Sequence, residues 1–205
     1  SSTNRINELF NWVEENEFLQ EKISIIESYY KNINDDVTLF KALCASVLLE
    51  TFLFYSGFYY PLWWAGHGKL IKSGEIISLI VRDESVHGVF TGVIAQELYE
   101  TFSEELQLEL KDELYRTMLR LHEIEVKYTN QLYGALKLEQ DVMTYVEYNA
   151  DKALMNLGFE PYFNIKEEQV NAVVLNGINT ETKNHDFFST KGNGYIKTLH
   201  VEELT

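Results

Sequence analysis

Apolar residues recur every three or four positions along most of the chain, which is the spacing of one face of an α-helix. Polar stretches and residues that favour helix starts divide this pattern into segments. Asp35 or Asp36 is expected to cap one helix and the 101–103 segment another. The pattern therefore predicts an all-α fold class. The predicted helical regions are residues 4–31 (as one or two helices), 37–60, 70–102, 104–136 and 139–157.

Glycine and proline mark the predicted breaks between helices. The second region is expected to stop near Pro61, because proline lacks the N–H that a helix interior needs. Gly158 and Pro161 form a typical stop signal after the last long helix, and helical periodicity is lost beyond them. We therefore predict a helical domain over residues 1–160 and an extended tail over residues 161–205.

Two neighbouring predicted helices are apolar on nearly all sides, and each carries a carboxylate. Glu50 is the only charged residue between positions 45 and 65, and Glu84 lies within the apolar segment 76–94. The first stretch is long enough to span a membrane, but Glu50 and a cluster of tyrosines favour a buried core helix. A helix that is apolar all round is expected inside the protein, where a carboxylate needs a cation, a partner or a proton.

Glu84 and His87 form a Glu-x-x-His pair. Residues three apart share a helix face, so both side chains can point at the same spot. This pattern on an inward face holds metal ions in ferritin-like carboxylate proteins, although it also occurs on solvated helices. With Glu50, it provides two carboxylates and one imidazole, a donor set that suits iron or manganese. A shared cation explains both acids, and we predict a metal site at these three residues.

The charge balance narrows the classes of partner. The 205-residue chain has 17 basic and 32 acidic residues and a net charge of −15, so it repels nucleic-acid backbones and anionic membranes. The single cysteine, Cys44, gives no disulfide framework and suits a reducing setting. We therefore expect a cytoplasmic protein with neither nucleic acid nor a membrane as a partner.

Three motifs occur in a specific order: SVLLETFLFYSGFYY at 46–60, VRDESVHG at 81–88 and NADKALMNLG at 149–158. With DFFS at 186–189 and a tyrosine in the tail, they resemble the small subunit of class I ribonucleotide reductase, and most closely its class Ib form. The resemblance covers essentially the whole chain. It implies a ferritin-like helical bundle that holds a dinuclear iron or manganese centre. In that family the centre generates a tyrosyl radical, which the large subunit uses to reduce ribonucleotides to deoxyribonucleotides.

The resemblance also implies roles for particular residues. Glu50, Glu84 and His87 match metal ligands, and Glu84 matches the ligand that can bridge the two metals. Asp83 matches the acid that links the metal site to the radical-transfer route. Tyr195 matches the tail tyrosine that relays the radical across the subunit interface.

Two further residues, Lys152 and Asn156, match polar residues that line a channel to the metal in the class Ib form. The chain departs from the family pattern on its N-terminal side, because it has no second Glu-x-x-His motif and no radical tyrosine after one. It therefore resembles the C-terminal portion of the subunit, a partial bundle without its N-terminal helices. The implied partners are a complementary N-terminal part, the large subunit, a second copy of the completed subunit and a flavodoxin-like activator.

Two other functions fit the same residues. One is a ferritin-like two-metal oxidase that acts on a small organic substrate, and the other is a metal-free interaction subunit whose acids are protonated or paired with cations. A relay tail with Tyr195 favours the reductase subunit, because an oxidase needs no such tail. The ligand types suit iron and manganese equally.

Overall fold

The computed structural model describes the backbone of residues 2–178 and the side chains of residues 3–175. Within this part of the chain all regular structure is helical, so the predicted all-α class is confirmed. Two short 3-10 turns join the longer helices. The helices are α1 (Ser2–Glu15), α2 (Glu17–Tyr30), α3 (Asp36–Leu48), a π-helix (Leu49–Leu53), α4 (Tyr55–Gly66), α5 (Ile71–Tyr99), α6 (Glu104–Tyr133), α7 (Glu139–Asn156) and α8 (Ala172–Ile178).

Side-chain caps set several of the helix starts. Asp35 is the N-cap of α3, and its carboxylate accepts the Thr38 backbone N–H at 2.7 Å. Ser103 caps α6 in the predicted position. The first region is two helices, because Asn16 ends α1 and accepts the Leu19 N–H at the start of α2.

Two predictions about where helical structure ends are wrong. Pro61 lies inside α4, which continues to Gly66, and a further short helix, α8, forms in the region expected to lack helical structure. A proline in a helix interior costs about 3 kcal/mol, and burial of Tyr59 and Leu62 on either side of it opposes that cost. Helix α8 packs against α4, so tertiary contact and not local periodicity stabilises it.

The stretch Asp36–Gly66 is long and apolar enough to cross a membrane by composition alone. Half of its most apolar window is buried inside the protein. Phe40, Val47 and Phe52 are almost completely inaccessible to solvent, and α3 and α4 both pack along α5. The stretch is therefore part of the core of this fold, as the sequence predicted.

Helix α5 packs through its small residues and exposes its large ones. The side of α5 that faces α3, α4 and α7 is built mainly from glycine, serine and alanine. Ile76, Leu79, Val86 and Phe90 are each more than half exposed. The expectation that this helix lies inside the protein is therefore wrong for the part of the chain described. The buried residues of α5 are Gly74, Ser78, Val81, Gly88, Gly92 and Ala95.

A buried ion pair connects α2 to α6. The Lys22 ammonium group donates to the Glu125 carboxylate, and both side chains are almost fully buried. The Lys22 Nζ atom also lies 4.1 Å from the centre of the Tyr128 ring, where the cation is attracted to the π-system. A buried charge without a partner costs several kcal/mol, so each of these two residues requires the other.

Residues 161–175 lie on the helical domain and do not extend away from it. The buried Asp151 carboxylate accepts the backbone N–H groups of Tyr162, Phe163 and Ile165 at 2.8–3.0 Å. His122 is half-buried beside this segment. Its Nε2 lies 2.9 Å from Glu147 and its ring 4.6 Å from that of Phe163, because the returning segment covers it.

Gly92→Ala should destabilise the fold. An added Cβ would lie 2.2 Å from the Asn156 carbonyl oxygen, a backbone atom of α7 that cannot rotate away. We expect a loss of about 1–3 kcal/mol in the free energy of unfolding, the usual cost of overpacking. Gly57→Ala is the matched control in another helix, because its Cβ would meet no atom within 4 Å. Chemical denaturation of both variants tests this, and equal stabilities would contradict the close approach of α5 and α7.

Candidate metal centre

Glu50 is positioned by an irregular turn of its helix. Residues Leu49–Leu53 form a π-helix between α3 and α4, so this turn contains one residue more than an α-helical turn. Such bulges are common at functional sites because they change the direction in which side chains point. Glu50 is half-buried, and its Oε2 atom is buried without a hydrogen-bond partner. An unpaired buried carboxylate oxygen is costly, so this atom is suited to binding a cation.

Glu84 and His87 face Glu50 from the adjacent helix, α5. The Nδ1 atom of His87 lies 3.3 Å from the Oε2 atom of Glu84. One ligand atom from each of the three residues lies within 4.8 Å of the other two. The structure therefore brings together the three residues that the sequence predicted as ligands.

The two carboxylates interact unfavourably with each other. Burial raises the pKa of Glu50, and the negative charge of Glu84 raises it further, while His87 lowers it. A bound divalent cation would remove both causes of this increase, because it replaces the lost hydration and separates the two negative charges.

The three side chains fit a transition-metal ion. Two carboxylates and one imidazole are the mixed oxygen and nitrogen donors that iron and manganese accept. The Oε2 atom of Glu50 has no hydrogen-bond partner among the described residues, so it is available as a donor. Three donors leave several coordination positions of a metal ion open.

The other predicted site residues lie around this cluster or outside it. Asp83 is exposed on α5 and does not belong to the cluster. Lys152 is half-buried on α7, with its Nζ atom 4.3 Å from the centre of the Tyr148 ring. Tyr195 lies outside the described residues.

Asn156 lies near the cluster, next to Gly88. An added Cβ on Gly88 would lie 3.2 Å from the Asn156 Nδ2 atom and 2.2 Å from the Thr51 hydroxyl oxygen. Both of these polar atoms are buried without a partner in the described structure. Two unpartnered polar atoms therefore pack closely against the residue that follows His87.

Sequence reasoning missed three polar residues beside the ligands. Thr51 packs against Gly88, and the buried Tyr55 lies close to Ser85 and to the Glu84 carboxylate. Burial raises the pKa of Tyr55 to about 12, so its hydroxyl keeps its proton. The only hint in the sequence is that Tyr55 follows Glu50 by five residues. In a regular α-helix, residues five apart do not share a face, so this spacing did not predict that Tyr55 lies near the ligands.

The chain is similar to known proteins in family profile, in sequence and in fold. Residues 1–171 match the sequence profile described as "Ribonucleotide reductase, small chain". The chain is 55% identical over 204 residues to a ribonucleoside-diphosphate reductase subunit beta of Bacillus subtilis, covering 98% of the chain and 61% of the relative. It is 40% identical to the ribonucleoside-diphosphate reductase 2 subunit beta of Escherichia coli, covering 98% and 62%. The chain thus spans about three fifths of the length of these relatives.

Solved structures agree with the sequence matches. The fold superposes on a dimanganese(II)-NrdF of Streptococcus sanguinis with a TM-score of 0.81 and 44% identity, covering 85% of this chain and 60% of that one. A putative class I ribonucleotide reductase of Bacillus halodurans gives a TM-score of 0.73 at 26% identity, covering 82% and 62%. These matches confirm the ferritin-like helical fold class.

Glu50→Gln should stabilise the metal-free chain at neutral pH. Because the folded-state pKa of Glu50 is raised, the folded chain binds this proton more tightly than the unfolded chain, and stability falls as pH rises through the interval between the two pKa values. Glutamine cannot carry the negative charge. The variant should therefore have a higher free energy of unfolding than the parent at pH values above that interval, and the difference should disappear at pH values below it. Urea denaturation at neutral and acidic pH measures this difference.

The control for this substitution is Glu97→Gln, which changes an exposed carboxylate on α5. It should leave the pH dependence of stability unchanged. If the stability of Glu50→Gln equalled that of the parent chain at every pH, the surroundings of Glu50 would not destabilise its charged form.

Proposed function

The chain belongs to the ribonucleotide reductase small-chain family, and from this premise we propose that it supplies half of a dinuclear iron or manganese site in a ribonucleoside-diphosphate reductase small subunit. The observation that carries the proposal is the convergence of Glu50, Glu84 and His87 from two helices. The related Streptococcus protein is a dimanganese(II) form, which supports a two-metal site. The Bacillus relative supports the reaction, reduction of ribonucleoside diphosphates.

The remaining ligands are proposed to come from the rest of the small subunit. About two fifths of the length of the relatives lies outside the part that this chain matches. Helix α5 has an exposed apolar row beside the metal cluster, formed by Ile76, Leu79, Val86, Phe90 and Val93 at the spacings of one helix face. An apolar row of this size is typical of a surface that another helix covers.

The proposed roles follow from what each residue of this chain can do. Glu50, Glu84 and His87 bind the two metals, and the polar contact between Glu84 and His87 orients the imidazole. A bound redox-active metal pair supplies the oxidising power for making a tyrosyl radical on the complementary part of the subunit. The His87 side chain is 57% exposed in the described structure, so bulk water would be kept away from the site only when the complementary part covers it.

Asp83 is proposed to connect the site to the radical-transfer route. It lies on the exposed row of α5, between Leu79 and Val86, and would be covered when that row is covered. Its carboxylate can then accept or return a proton as an electron moves. Tyr195 is proposed to continue the route to the large subunit from the tail.

Lys152 and Asn156 are proposed to line a polar channel to the metals. The unpartnered Nδ2 atom of Asn156 and the unpartnered Thr51 hydroxyl support this role, because buried polar atoms without protein partners are typical of a water-filled space. A flavodoxin-like activator that delivers an oxidant would use this channel. The completed subunit is proposed to form a homodimer in the cytoplasm.

Metal binding should require the rest of the subunit. Because this chain offers three clustered ligands, we expect weak binding of iron or manganese alone and about two metal ions per site once the complementary part is present. Elemental analysis of desalted samples measures this. Glu84→Ala should lose the metals, while Glu97→Ala, an exposed acid on the same helix, should keep them. Two tightly bound metals on the chain alone, or none in the complex, would contradict the proposal.

Tyr195→Phe should separate radical formation from turnover. The substitution keeps the ring and removes the hydroxyl, so folding, metal loading and the tyrosyl radical of the completed complex should be unchanged. Nucleotide reduction with the large subunit should fall to near background. Electron paramagnetic resonance and turnover measured on the same sample test this, with Tyr162→Phe, an exposed tyrosine of the described segment, as the control. Normal turnover of Tyr195→Phe would exclude the relay role.

A further inference from the structure

A continuous series of aromatic rings leads away from the proposed metal site. The Tyr55 side chain lies close to Ser85 and to the Glu84 carboxylate. Its ring lies 5.6 Å from the ring of Tyr145, and that ring lies 5.9 Å from Tyr59. We call Tyr55, Tyr145 and Tyr59 the tyrosine series. All three are almost completely buried.

The rings continue from Tyr59 towards the surface. The centre of the Tyr133 ring lies 6.3 Å from Tyr59 and 6.2 Å from Tyr60, which stacks on Trp63 at 6.0 Å. Trp63 is half-exposed near the end of α4. Every step in the path is therefore a contact between neighbouring rings, short enough for an electron to move from one ring to the next.

Packing alone does not explain the hydroxyl of Tyr145. Its oxygen is buried and has no hydrogen-bond partner in the described structure. Phenylalanine would fill the same place without desolvating a hydroxyl, which costs about 1–3 kcal/mol when it stays unpaired. A tyrosine is more easily oxidised than a phenylalanine, so an electron-transfer role gives a reason for this residue that packing does not.

Tyr59 differs from Tyr145 because a carboxylate lies next to its hydroxyl. The Tyr59 Oη atom lies 3.4 Å from the Asp141 Oδ2 atom, and Asp141 is exposed and also accepts the Asn171 amide at 2.9 Å. A phenol becomes a strong acid when it loses an electron, so its oxidation is favoured where a base can take the proton. Tyr59 has such a base, whereas the Tyr145 hydroxyl has no acceptor among the described residues.

We propose that the tyrosine series supplies electrons to the Glu50, Glu84 and His87 site, with Tyr59 as the residue on which the oxidising equivalent comes to rest. The proposal rests on the proposed function only in taking the oxidant to be a metal pair at that site. This route starts inside the helical domain and is separate from Asp83 and Tyr195. When the metal site is oxidised and no other electron donor is available, this route would reduce it again.

The electron and proton balance is simple. A one-electron oxidant at the site receives one electron through Tyr55 and Tyr145, and Tyr59 loses that electron. The phenolic proton of Tyr59 passes to Asp141, which leaves a neutral phenoxyl radical, a protonated carboxyl group and an oxidant reduced by one electron. A dissolved one-electron reductant of the thiolate or ascorbate class refills Tyr59 through Tyr133, Tyr60 and Trp63, and Asp141 returns the proton.

A photo-oxidant attached to the full chain tests the route without any metal. The parent protein carries Cys44→Ala, which removes the native thiol, and Val86→Cys. Position 86 is 63% exposed and adjacent to His87, and its new cysteine is labelled with a ruthenium photosensitiser. Flash oxidation should produce a long-lived tyrosyl radical, observed by transient absorption and electron paramagnetic resonance. Because no iron or manganese is present, failure of metal binding and failure of this route are separate results.

Three variants of that parent identify the path. Tyr59→Phe should lose the long-lived radical, and Asp141→Asn should shorten its lifetime because the amide cannot take the proton. Tyr145→Phe should slow the appearance of the radical while keeping or raising the melting temperature. Tyr29→Phe is the control, because that hydroxyl pairs with Thr117 away from the series.

The results separate electron transfer from packing. An unchanged radical yield and lifetime in Tyr59→Phe and Asp141→Asn would overturn the proposal. A Tyr145→Phe variant with a lower melting temperature and unchanged radical kinetics would also overturn it, because packing would then account for Tyr145. Asp141→Asn changes an exposed side chain, so the test remains available if Tyr59→Phe does not fold.

Discussion

The close approach of α5 to its neighbouring helices determines where the three candidate metal ligands lie. Gly88 and Gly92 leave no room for a side chain against Thr51 and the backbone of Asn156. That contact brings Glu84 and His87 to within reach of Glu50 on the facing helix. A larger residue at either glycine would move the ligands of one helix away from those of the other, because protein interiors are too densely packed to absorb the volume.

The same helix exposes an apolar surface beside the candidate site. Small residues face inward on α5, so its large apolar side chains point away from the described structure. The three clustered residues and the exposed apolar row lie side by side. Under the proposed function, a segment that covers the row would also be well placed to bring further ligands, which would join the folding of the subunit to the assembly of its metal centre. Metal binding and subunit completion would then stabilise each other.

Buried polar groups have different roles in different parts of the protein. Lys22 with Glu125, and Asp151 with three backbone N–H groups, hold α2 against α6 and residues 162–165 against α7. The second carboxylate oxygen of Glu125 has no hydrogen-bond partner among the described residues. In and beside the candidate metal cluster, Glu50, Thr51 and Asn156 each keep a buried polar atom without a partner, and these are the residues for which a metal-related role is proposed.

The sequence by itself determined the helical class, the order of the long helices, several caps and the three candidate ligands that the structure brings together. Helical periodicity and the Glu-x-x-His spacing are local properties, so they can be read without a structure. The helix through Pro61, the formation of α8, the burial of His122 and the exposure of α5 depended on tertiary contacts between distant residues. The π-helix and the Tyr55–Ser85 contact were also decided at that level, because a change of one residue per turn leaves no signal in a periodic pattern.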